Sequence, residues 1–220
     1  MKPFTFLIAI LFCLNLNAQK GKIHQNAWYE ERPDDVKIPS TNYSLINKGK
    51  LYYFLSNDND ILCVDIKVED QEVSKRILTE GMIIWFDMDG RLSRKLGIRF
   101  PTGSQHSGAT ASIQEANTIE IIGFTGENAR RFPSDNNDTF RGYVKYDNEG
   151  ILIYKMIIPI AKLPVRNSRN GIGAMPFNLG VEFGAFAEMN GIRGRQPVET
   201  KASDPSVLFW IKNVRLATSK

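Results

Sequence analysis

Residues 51–68 read LYYFLSNDNDILCVDIKV, and the reading of this stretch decides the fold. Two apolar runs flank Asn57-Asp58-Asn59-Asp60, a cluster of turn formers, so the segment is predicted to be a β-hairpin. In the second run Leu62, Val64, Ile66 and Val68 alternate with Cys63, Asp65 and Lys67. Successive side chains of a strand point to opposite faces, so this alternation marks a strand with one buried face.

The same rhythm continues outward. QEVSKRILTE (71–80) suits one or two helical turns before Gly81. MIIWFDM (82–88) and RKLGIRFP (94–101) then read as strands joined through Asp89-Gly90, a hairpin dipeptide. TIEIIGF, RGYVKY, ILIYKMIIP, GVEFGAFAE and VLFWIKNVRLA follow as further strands. With no sustained helical period, this pattern predicts an all-β protein: an antiparallel, jelly-roll-like (immunoglobulin-like) β-sandwich with one or two short helices. Loops near 101–117, 126–140 and 189–205 are long, and long loops on a sandwich commonly carry binding groups.

The first eighteen residues, MKPFTFLIAILFCLNLNA, stand apart. Lys2 precedes an apolar run from Phe4 to Leu16, and Ala18 offers a small residue at the cleavage point. The run is too short to span a bilayer, so it is expected to be a signal peptide, with export to the periplasm or the extracellular space and no transmembrane anchor afterwards. Residues 19–44 are expected to form an extended N-terminal arm, and 45–220 the sandwich domain. Of the two cysteines, Cys13 lies in the signal segment, so Cys63 is left without a disulfide partner. The net charge of +4 is mild and its basic residues are scattered, which argues against nucleic acid as a partner.

The order SNDNDILCVDIKVED, a short helical spacer, GMIIWFDMDG, KLGIRFP, YKMIIPIAKLP and the closing LFWIKNVRLA resembles carbohydrate-binding module family 9 and its DOMON-like relatives. The resemblance implies a non-catalytic domain that binds a sugar or glycan, in some members with structural calcium. It implies that Trp85 is one wall of a sugar clamp and that Arg99 is a donor to hydroxyls or a carboxylate. It implies that the opposite wall comes from GVEFGAFAEMNG, which holds Phe183 and Phe186 but no tryptophan.

Alternation gives the first wall two readings. Met82, Ile84, Phe86 and Met88 share one face of their strand; Ile83, Trp85 and Asp87 share the other. Trp85 is a ligand platform if that face is open, and ordinary packing if a loop or the arm covers it. The candidate binding set is Trp85, Arg99, Glu182 and Phe186. Trp28 and Trp210 read as packing. No cofactor is expected: Asp87 and Asp89 fit a solvated turn better than a calcium loop, which needs six or more oxygens. A haem held by methionine with His24 or His106 is a weaker reading. No GxSxG, HExxH or paired Cys/His motif is present, so the chain reads as a non-enzyme. The alternative to sugar binding is an envelope module whose long loops and arm contact a protein partner.

Overall fold

The computed structural model describes residues 24–25, 27–28, 42–47, 50–103, 118–124, 131–134, 140–163, 175–184 and 206–217. Residues 1–18, expected to be a signal peptide, His106, Phe186 and most of the three long loops lie outside the described residues. The strands are β1 (His24–Gln25), β2 (Ala27–Trp28), β3 (Ser44–Asn47), β4 (Leu51–Asn57), β5 (Ile61–Val68), β6 (Met82–Asp87), β7 (Gly97–Arg99), β8 (Thr118–Ile122), β9 (Arg131–Pro133), β10 (Arg141–Tyr146), β11 (Leu152–Pro159), β12 (Phe177–Phe183) and β13 (Val207–Arg215). One helix, α1 (Gln71–Glu80), joins β5 to β6, and a 3-10 turn follows β11.

The strands make two sheets. One has seven strands in the order β1-β13-β12-β6-β7-β8-β9; the other has six, β10-β11-β5-β4-β2 with β3 also on β4. Pairing is antiparallel except for β1 on β13 and β2 on β4, which are parallel. The fold is thus the expected all-β sandwich. Its core is filled by alternate residues of each strand: Leu62, Val64, Ile66 and Val68 from β5, Met82, Ile84 and Phe86 from β6, Leu179 and Val181 from β12. Ile77 and Leu78 of α1 join the same core.

Two elements differ from expectation. The helix runs for ten residues rather than one or two turns. Asp70 caps its start, accepting from the amides of Glu72 at 2.9 Å and Val73 at 3.1 Å. Gly81, at φ 94°, ends it in a conformation that a side chain would strain. The Asp89-Gly90 hairpin is also looser than predicted. Strand β7 begins only at Gly97, so residues 88–96 form a loop. The reason is Asp87: its carboxylate accepts from the Leu92 amide at 2.8 Å and the Ser93 hydroxyl at 3.3 Å. Those bonds fold the loop back instead of letting it zip into a ladder.

Candidate ligand-binding face

The outer face of the seven-stranded sheet carries most of the predicted site residues. Ile83, Trp85 and Asp87 point away from the core that Met82, Ile84 and Phe86 fill. Register then sets their neighbours. Across β7, β6, β12 and β13 one row reads Gly97, Trp85, Gly180, Trp210. Indoles and glycines alternate for a steric reason. A Cβ on Gly97 would lie 2.6 Å from Trp85 Cε3, and one on Gly180 would lie 3.0 Å from Trp210 Cζ3 and 3.1 Å from Trp85 Cβ. Each glycine is the space into which a ring lies against the backbone.

The next row reads Glu120, Arg99, Ile83, Glu182. Glu182 is diagonal to Trp85, within reach of its ring. The Trp85 Nε1 donates to Glu182 Oε2 at 2.6 Å. On the other carboxylate oxygen, Ser206 Oγ donates at 2.7 Å and Arg94 Nη1 at 3.0 Å. The Arg94 side chain is 55 % exposed, whereas that of Glu182 is 3 % exposed. A buried carboxylate is tolerated because all three partners donate to it, one of them a cation. Trp85 itself is only 2 % exposed.

Arg99 stands on the same face but turns elsewhere. Its Nη2 donates to the Glu80 carbonyl at 2.9 Å, and its Nη1 lies 3.7 Å from Glu120, which also pairs with Arg131. Burial holds the guanidinium below its usual range, with Glu120 acting in the opposite direction. The structure therefore joins Trp85 to Glu182 and sets Arg99 in a separate ion cluster. Phe186 lies outside the described residues.

Below Trp85, Asn178 Nδ2 donates to Asp87 at 2.8 Å and Asn178 Oδ1 accepts from the Asn213 amide at 3.1 Å. Burial would raise the Asp87 carboxyl, but the bonds from Asn178 and from the backbone of Leu92, Ser93 and Asp89 hold it below its ordinary range. Asp87 is thereby committed to shaping the loop. Among the described residues, no group of three or more His, Cys, Asp or Glu is placed to hold a metal ion.

Sequence reasoning missed Arg94 and Ser206. Arg94 was hidden inside a strand that does not form there, and Ser206 precedes β13 with no periodic signal. The available hint was Gly97, since a glycine inside a strand pattern often marks a close approach by another group.

No family model matches the chain, and no curated protein matches it. Among solved structures it is similar to a carbohydrate binding module family 9 from Caldicellulosiruptor kristjanssonii in complex with glucose, at 10 % identity over 90 % of this chain and 97 % of that chain, with a TM-score of 0.44. It is similar also to a module of that family and organism in complex with cellotriose, at 10 % identity over 90 % of this chain and 95 % of that one, with a TM-score of 0.41. The family that the order of sequence motifs resembles is the family of these two structures.

Proposed function

We propose that this is an exported, non-catalytic domain that binds carbohydrate on the outer face of its seven-stranded sheet, at Trp85 and Glu182. The observation that carries the reading is the indole N–H bonded to a buried carboxylate whose outermost donor is the half-exposed Arg94. Sugar hydroxyls are donors, so they can replace Arg94 and Ser206 on Glu182. The Trp85 indole, 2 % exposed in this structure, meets the apolar face of a sugar ring only once the groups that cover it have moved. Arg99, committed to the Glu80 carbonyl and Glu120, stands beside this site and not in it.

Trp85→Ala is expected to abolish binding to any sugar that the parent protein binds, read by isothermal titration. Removal of a buried ring costs roughly 3–5 kcal/mol of stability, so Glu182→Gln serves as the milder companion and is expected to weaken binding at least tenfold. Unchanged affinity in both variants would sink the assignment.

The 2 % exposure of Trp85 favours a second reading, an envelope module that contacts a protein partner and takes no small ligand. Acrylamide quenching of tryptophan fluorescence against a panel of mono- and oligosaccharides separates the two. A signal that one sugar class shifts supports the first. Shielded tryptophans indifferent to every sugar support the second.

A further inference from the structure

The three donors to the buried Glu182 carboxylate do not contribute alike. Trp85 Nε1 bonds one oxygen at 2.6 Å, while Ser206 Oγ at 2.7 Å and Arg94 Nη1 at 3.0 Å share the other. Indole and hydroxyl are neutral, so of the three only Arg94 brings a charge to balance the carboxylate. Arg94 is also the half-exposed member, so a ligand arriving from solvent meets it first and takes its place. We propose that the ligand which takes that place is an amino sugar, its free ammonium standing where the Arg94 guanidinium stands now. The inference rests on the carbohydrate reading of the Trp85–Glu182 site and names the class of sugar.

Three observations support it. First, Glu182 is too buried to be left to water. A hydroxyl that displaces Arg94 restores a hydrogen bond but no charge, and a buried carboxylate that loses its counter-charge is strongly disfavoured. An ammonium restores both, in a charge-assisted bond stronger than the neutral one. Second, the exchange asks little of the fold. Arg94 bonds Oε1 whereas the indole holds Oε2, so the ammonium needs only the Arg94 side chain to swing outward. The backbone beside it stays, because the Asp87 carboxylate pins the Leu92 amide and the Ser93 hydroxyl. Third, the surroundings suit a cation. The Trp85 ring is bonded to the same carboxylate, and an indole adjoining the site adds attraction for an ammonium. Arg99, in the same row as Glu182, stands two strands away beyond Ile83, with Glu120 at 3.7 Å.

Isothermal titration of the full chain at pH 6, where the amine is protonated, tests the proposal with the β-1,4-linked disaccharides of glucosamine, glucose and N-acetylglucosamine. The glucosamine disaccharide is expected to bind about tenfold more tightly than the other two, the margin between a charge-assisted and a neutral hydrogen bond. Glu182→Gln keeps the shape of the side chain without its charge, and is expected to bring the ratio close to one. Arg94→Gln removes the competing cation and is expected to tighten the glucosamine disaccharide severalfold. The proposal is overturned if either neutral disaccharide binds as tightly, if the preference survives Glu182→Gln, or if Arg94→Gln weakens the binding. It is overturned too if ethanolamine, a cation without a sugar ring, binds as well as the amino sugar. Equal binding of all three disaccharides removes this proposal and leaves the carbohydrate reading standing, whereas binding of none removes both.

Discussion

Asp65 is 1 % exposed although it points away from the core, on the outer face of the six-stranded sheet. Burial pushes its carboxyl up to about 6, against the pull of Lys155, 3.6 Å away, and of the Cys63 thiol, which donates at 3.3 Å. Tyr43 stands nearby, its ring 6.1 Å from that of Phe54 and its phenol raised by burial first and by Asp65 second. A carboxyl whose folded value is raised binds its proton more tightly folded than unfolded. The stabilisation is complete below the unfolded value near 3.8 and is lost as pH rises through about 6. Between those limits the group should remove roughly 3 kcal/mol from the unfolding free energy. Urea titrations at pH 4 and pH 7 are expected to reveal this slope in the parent and its absence in Asp65→Asn. An identical slope in both proteins would contradict the assignment. Alternation in ILCVDIKV identified the face that Asp65 occupies. It could not disclose the burial, because alternation tells which face a residue takes and not what packs over that face.

Among the elements, β6 was legible as a short, wholly apolar run from Met82 to Phe86, which the structure buries on both faces. The loop at 88–96 was not. Asp-Gly is a strong local hairpin signal, but the local signal lost to a side chain: the Asp87 carboxylate bonds the loop five and six residues further on. The pairing of rings with glycines across four strands was equally hidden, since it is a property of register and not of any one strand. It yields a prediction at this scale. Gly97→Ala places a Cβ 2.6 Å from a buried indole that cannot swing away without breaking its bond to Glu182. The expected cost is about 1–3 kcal/mol, read as a lowered denaturation midpoint. Coupling it with Trp85→Phe should give a non-additive double-mutant cycle, because the two residues touch. Additive effects would mean that the ring relaxes freely. The irregularity in β13 is likewise tertiary. Asn213 adopts φ 57° at the register shift opposite Phe177 and Leu179, and Asn178 holds its amide there. Ile211 and Val214 can then both reach the core although they are three residues apart.

For the whole molecule, the two sheets are tied along one side. Asn57, at the end of β4, donates to the Ala217 carbonyl at 3.0 Å and accepts the Ala217 amide at 2.8 Å, just beyond β13. The N-terminal strands straddle the same seam: His24 pairs with Val214 in one sheet, and Ala27 with Ser56 in the other. Asn57→Ala should cost about 2–3 kcal/mol in guanidinium unfolding, since it removes both bonds to Ala217 and one to the Asp58 carbonyl at a buried site. A change below about 0.5 kcal/mol would show that the strands alone hold the seam. The seam also bears on how the chain reaches this state. Its strap pairs residues near the beginning of the chain with residues near the end, a loop of almost the entire sequence that must close before the contacts repay it. The neighbours β4 and β5 can pair early, but the edge beside β12 waits for β13. Folding should therefore be slow for a domain of this size, with the pairing of β13 among its last steps.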